Sequence, residues 1–202
     1  MNRLLIILGA VFTIGLAAAA QSPSKPLDSG RDKPFGFGTP ATPEQIAALD
    51  IDVRPDGTGL PTGSATARDG AAVYAQKCAA CHGANGEGGM ADVLVGAEPK
   101  GFAPFGPEYE RWRASRPDVP FTIGNYWPYA TTLFDYIRRA MPATAPGSLT
   151  ADETYALVAW LLMKNEIIEE TDTMNRETLP RVRMPARARF VPDNRRGGPE
   201  VK

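Results

Sequence analysis

Two cysteines and one histidine are all that this 202-residue chain contains of either kind, and they stand together as Cys78-Ala79-Ala80-Cys81-His82. A three-residue step between cysteines puts both sulfurs on one side of a helical turn, with the imidazole one position later. A disulfide across two intervening residues would close so small a loop that it would stabilise little, and it would leave His82 without a role. A redox dithiol of the thioredoxin kind needs a βαβ context, which the chain does not offer. A structural zinc site needs four ligands, and only three are present. What fits is C-x-x-C-H, the pattern of c-type haem attachment. One covalently bound haem c is expected, held through Cys78 and Cys81, with His82 beneath the iron.

Histidine scarcity also restricts the other face of the iron. Bis-histidine ligation within the chain is impossible, so the sixth ligand is a methionine, a weaker donor or nothing. A thioether opposite histidine raises the haem potential, as suits an electron carrier. Apart from Met1, the candidates are Met90, Met141, Met163, Met174 and Met184. Met90 lies too close to His82, in a Gly-rich loop. Met163 sits inside a helical pattern, where core filling is the ordinary role. Met174 and Met184 fall in a polar tail. Met141 follows an amphipathic stretch, Thr131 to Ala140, that carries Leu133, Phe134 and Ile137 on one face and Arg138 and Arg139 at its C-terminal end. Pro142 ends that helix and leaves Met141 at a junction where its side chain can turn inward. Met141 is the expected axial ligand.

The first twenty residues read as an address. Asn2 and Arg3 precede an uncharged run from Leu4 to Ala20, and Ala18-Ala19-Ala20 fits a cleavage site. As a helix the run would span roughly 25 Å, short of a hydrocarbon core of about 30 Å. Residues 1–20 are therefore expected to be a cleaved signal peptide rather than a stable membrane anchor, with the mature chain outside the cytoplasm. A net charge of −1 gives no reason to expect nucleic acid as a partner. The charge is uneven, however. Arg176 to Lys202 holds eight basic and three acidic residues on an otherwise acidic chain. Such a tail lies on something acidic, in this domain or on a partner, or is simply solvated.

Three helices are legible. The first runs from Thr66 to Cys81, opened by a capping box of Thr66 and Asp69, with Gly70, Val73, Tyr74, Lys77, Cys78 and Cys81 at three- and four-residue steps. The second is the Thr131–Ala140 segment. The third runs from Thr150 to Asn165, with a capping box of Thr150 and Glu153 and a stripe of Tyr155, Val158, Ala159 and Leu162. Gly70 would let another helix approach closely, with Trp160 or Tyr155 as its neighbour. Residues 84–130 are rich in Gly and Pro and read as loops, residues 21–64 lack periodicity apart from a short helix at Thr42–Leu49, and residues 166–202 read as extended.

Together these features resemble class I cytochrome c over residues 66–165: an N-terminal helix ending in C-x-x-C-H, Met-Pro after a middle helix, and a C-terminal helix crossing the first. The resemblance implies an all-α fold, three main helices around one haem, with a cytochrome domain at 65–165, an extended N-terminal arm at 21–64 and an extended basic C-terminal arm at 166–202. It also implies a backbone carbonyl holding the proximal imidazole, near the proline of a Pro-x-Leu-x-Gly segment. Here that segment reads Asp92-Val93-Leu94-Val95-Gly96, which leaves open which carbonyl acts.

A longer resemblance is carried by residues 36–42, 50–61, 122–137, Arg139-Ala140-Met141-Pro142 and 176–180. These look like the cytochrome subunit of bacterial sulfite or sulfane dehydrogenases. That likeness implies a periplasmic electron-transfer subunit, with catalysis in a separate molybdenum-cofactor subunit and electrons passing singly to this haem and then to a downstream acceptor. Tyr126, Trp127 and Arg138 are candidate propionate contacts, because buried carboxylates need hydrogen-bonded partners; the plain alternatives are core for Trp127 and solvent for Arg138. A free shuttle to a terminal oxidase, and a haem enzyme with an open iron, are the alternative functions.

Overall fold

The computed structural model describes residues 39–96 and 107–190. The chain divides into two units, Met1–Ala41 and Thr42–Lys202. Of the first, only residues 39–41 are described, and they form neither helix nor strand. The expected signal peptide (1–20), residues 21–38 of the N-terminal arm and residues 191–202 of the basic tail lie outside the described residues.

The second unit is mostly helical. Its elements are α1 (Pro43–Leu49), β1 (Ser64–Thr66), α2 (Ala67–Lys77), α3 (Ala79–His82), α4 (Pro107–Ser115), α5 (Ile123–Tyr126), α6 (Ala130–Ala140), α7 (Ala151–Lys164) and β2 (Thr173–Asn175), followed by two 3₁₀ turns at Leu179–Arg181 and Pro185–Arg189. Among the described residues no helix is long and apolar enough to cross a membrane.

Helix α7 is the axis of the core, with every residue from Thr154 to Leu162 buried. It starts where the Thr150/Glu153 capping box satisfies the first free amides. Helix α2 crosses it at Gly70, where a Cβ would lie 2.0 Å from the Ala156 carbonyl oxygen and 2.7 Å from the Trp160 Cβ. One turn on, Tyr74 stacks on Trp160 with ring centroids 3.8 Å apart. Helix α6 packs through Phe134 on Tyr155, centroids 4.5 Å apart, and Tyr155 is fully buried. Lys77 Nζ bridges to Glu153 Oε1 at 2.6 Å and ties α2 to α7.

Three departures from the sequence expectations stand out. The first helix is broken at Cys78, whose φ and ψ of −124° and −36° end α2 before α3 restarts. Two further helices, α4 and α5, occupy the stretch expected to be loop. The third departure is in the segments flanking the helices, which pack closely on them. Val53 and Leu60 are buried, Val53 N–H donates to Asp135 Oδ1 at 2.9 Å, and Tyr155 O–H donates to the Pro61 carbonyl at 2.9 Å. On the C-terminal side β2 pairs antiparallel with β1, Ala65 opposite Met174. Met174, Leu179 and Met184 all enter the core. Met174 and Met184 are thus core residues, not members of a polar tail.

Candidate functional site

The C-x-x-C-H turn is built by the end of α2 and by α3. The Cys78 carbonyl accepts from Cys81 N–H at 3.1 Å and from His82 N–H at 3.0 Å, which curls the backbone through the motif. Gly83 then closes the turn at φ +81°, in the left-handed region that favours glycine, and Tyr74 O–H donates to its carbonyl at 3.0 Å. The two cysteines are not joined in a disulfide, and both are half-buried. Burial pushes the Cys78 thiol up to about 11, against the opposing pull of the Lys77 ammonium, so it is neutral at pH 7.

Among the described residues the His82 ring makes one hydrogen bond: its Nδ1 lies 2.8 Å from the Asp92 carbonyl oxygen. A carbonyl only accepts, so Nδ1 carries a proton; in the neutral ring this leaves the lone pair on Nε2, the tautomer a metal-ligating imidazole requires. The carbonyl that the sequence left open is therefore that of Asp92, at the position where the family pattern has proline. The loop returning to it is pinned by Ala91 N–H on the Cys81 carbonyl at 2.9 Å, Gly88 N–H on the His82 carbonyl at 2.8 Å and Leu94 N–H on the Gly86 carbonyl at 2.8 Å.

Met141 is the C-cap of α6, with extended φ and ψ of −118° and 148°. It sits half-buried against the core, as do Val73, Cys78, Leu94, Val95 and Trp127. Trp127 Nε1–H already donates to Thr132 Oγ1 at 3.0 Å, and its ring lies 5.7 Å from that of Tyr136. Arg138 is half-buried near the end of α6. Tyr126 is more exposed and joins Phe121 and Phe190 in an aromatic cluster, at 4.6 and 5.8 Å. The fold thus brings Cys78, Trp127 and Met141 onto one apolar core and sets Tyr126 among a different group of rings. Sequence reasoning did not single out Asn165, which reads as an ordinary helix end and is a buried C-cap of α7.

Residues 65–161 match the family described as cytochrome c oxidase, cbb3-type, subunit III. None of the curated proteins matches the chain. Among solved structures, that of the sulfane dehydrogenase SoxCD from Paracoccus pantotrophus contains a chain 36% identical to this one, with a TM-score of 0.67, over 80% of this chain and 73% of that one. The chain belongs to the class I cytochrome c family. It is an electron-transfer cytochrome, and the family carries covalently bound haem c. The residues present fit that group. Two thiols occupy one turn, an imidazole has Nδ1–H spent on a carbonyl, and a thioether caps α6. The half-buried apolar side chains named above leave faces that a planar apolar ring would cover.

Proposed function

We propose that this cytochrome is a periplasmic subunit with one haem c that accepts single electrons from a molybdenum-dependent sulfite or sulfane dehydrogenase and hands them to a downstream acceptor. Catalysis belongs to the molybdenum subunit. The observation that carries this reading is the 36% identity over 80% of the chain to a chain of a sulfane dehydrogenase, a span wider than the cytochrome match at 65–161. A likeness confined to the haem domain would support a generic carrier. One that includes the flanks supports a common assembly.

Haem c supplies, when bound, a one-electron redox centre whose potential is raised by methionine opposite histidine. Cys78 and Cys81 would form the thioether links, His82 Nε2 and Met141 Sδ would bind the iron, and the Asp92 carbonyl would keep His82 in its donor tautomer. Arg138 is the candidate for propionate contact with a donor to offer; Trp127, whose one N–H is spent on Thr132 Oγ1, and Tyr126, set among other rings, are weaker ones. Export is supported by the uncharged run from Leu4 to Ala20 before a small-residue site.

The test is purification from the native host. Expected is a complex containing molybdenum, in which sulfite or a sulfane compound reduces the haem and acidified organic solvent leaves the red colour on this polypeptide. Recovery as an unattached monomer whose presence does not affect acceptor reduction would overturn the complex. Colour lost to the solvent would overturn the haem attachment itself.

A further inference from the structure

Among the described residues one carbonyl, that of Asp92, holds the His82 ring, so the ring is only as fixed as that carbonyl. In the family pattern a proline stands at this position, and its ring locks φ near −65°. Asp92 has no such lock. Its side chain is exposed, so the restraint comes from its neighbours: Ala91 N–H on the Cys81 carbonyl before it, and the segment that follows it.

That segment, Leu94 to Gly96, is clamped by Asn165, a fully buried side chain at 1% exposure that caps the end of α7. The carboxamide is saturated. Oδ1 accepts from Gly96 N–H at 3.3 Å and from Gly124 N–H at 3.1 Å. Nδ2 donates to the Leu94 carbonyl at 3.1 Å and to the Leu161 carbonyl at 2.8 Å. Two amides face one end and two carbonyls the other, so the orientation of the carboxamide follows from its partners. Only a side chain with both donors and acceptors on a short stem can join these groups. Around it the joint is closed further: Ile123 N–H donates to the Leu94 carbonyl at 3.1 Å, and Thr122 O–H donates to the Gly96 carbonyl at 3.2 Å.

We propose that Asn165 is a positioning residue for the axial histidine, acting through the Leu94–Gly96 segment to fix the Asp92 carbonyl that holds His82 Nδ1–H. The inference rests on His82 being the iron ligand. A buried carboxamide of this kind stabilises the fold in any case, so the discriminating effect lies at the imidazole. With the clamp loosened, the hydrogen bond to Nδ1 weakens and the imidazole becomes a poorer donor to iron.

The experiment uses the holo-cytochrome carrying Asn165→Ala, and in parallel Gly124→Ala, whose added Cβ would fall 2.6 Å from Asn165 Oδ1 and displace the carboxamide without removing it. Tyr155→Phe is the control, since it deletes a hydrogen bond to the Pro61 carbonyl on another part of α7. Three quantities are read: exchange of the His82 Nδ1 proton by NMR in the reduced state, the reduction potential, and the unfolding midpoint. The expected result is proton exchange at least tenfold faster and a higher potential in both clamp variants, with neither changed in Tyr155→Phe at a comparable loss of midpoint. Clamp variants that lose midpoint but keep the imidazole proton and the potential of wild type would reduce Asn165 to a helix cap and overturn the inference. If Asn165→Ala does not fold, Gly124→Ala decides alone. Failure of the underlying reading is seen separately, as wild-type protein without covalently bound haem.

Discussion

At the scale of single residues, chemistry was legible in the sequence wherever scarcity left no choice. Cys78, Cys81 and His82 could be singled out because the chain has no others of their kind. Met141 could be singled out because a helix stop stands beside it, and the structure makes it the C-cap of α6. The partner of His82 was not legible, because a backbone carbonyl carries no residue-type signature; only geometry assigns it to Asp92. Asn165 was hidden for a related reason, since all four of its partners are backbone groups. One prediction belongs here. Met141→Ala removes the thioether without touching the proximal side. The methionine-to-iron charge-transfer absorption should vanish, and the reduction potential should fall by a substantial part of the roughly 0.8 V range that axial ligands command. An unchanged optical spectrum would assign the sixth position elsewhere.

At the scale of elements, the sequence reading succeeded where caps and periodicity agreed. Thr42, Thr66 and Thr150 each open a helix with a complete capping box. Thr122 does the same for α5, but four residues are too few to display a period, so that helix was read as loop. The β1–β2 pair was invisible because its three-residue strands meet only through the tertiary fold. The crossing of α2 and α7 gives two predictions. Replacing a helical glycine by alanine ordinarily gains about 1 kcal/mol, yet at Gly70 the new Cβ would stand 2.0 Å from the Ala156 carbonyl oxygen. Overpacking against backbone costs roughly 1–3 kcal/mol or more, so the clash wins and Gly70→Ala should lower stability in denaturant titration. The second prediction concerns Glu153. Its hydrogen bond from Lys77, then that from the Thr150 amide, holds its carboxyl below the usual carboxylate value of 4.5. A depressed folded-state value stabilises the protein above the unfolded value and stops doing so as pH falls through the folded one. Glu153→Gln should therefore lose about 1 kcal/mol or less at pH 7, with the difference from wild type shrinking below about pH 4.5 and vanishing in stronger acid. A gap that persists undiminished at pH 2 would mean that the cap geometry, not the charge, supplies the effect.

At the scale of the whole molecule, the basic tail was legible as charge but not as structure. Met174, Leu179 and Met184 show no helical or strand period, and their burial depends on a body that only the fold supplies. With these apolar side chains seated in the core, Arg189 is buried with them, while other cations of the segment face outward. Arg181, Arg183 and Arg187 are exposed, and among the described residues none makes an ion pair with a carboxylate of this chain. They border a groove of about 690 Å³ shared with Pro55, Tyr129 and Met184, and Arg187 lies over the Tyr129 ring at 4.8 Å. If the dehydrogenase subunit proposed above presents an acidic surface, these three arginines are the groups of the described residues placed to meet it. Exposed ion pairs contribute about 0.5 kcal/mol each, so three amount to roughly tenfold in affinity, and salt screens them. Replacing all three arginines by glutamine should weaken association with the dehydrogenase by about that factor at low ionic strength. It should also flatten the dependence of electron-transfer rate on salt, with stability lowered by no more than about 1 kcal/mol, the worth of the exposed Arg187–Tyr129 contact. The same salt dependence in wild type and triple variant, measured as haem reduction by the dehydrogenase across a range of ionic strength, would place the contact on another face of the cytochrome.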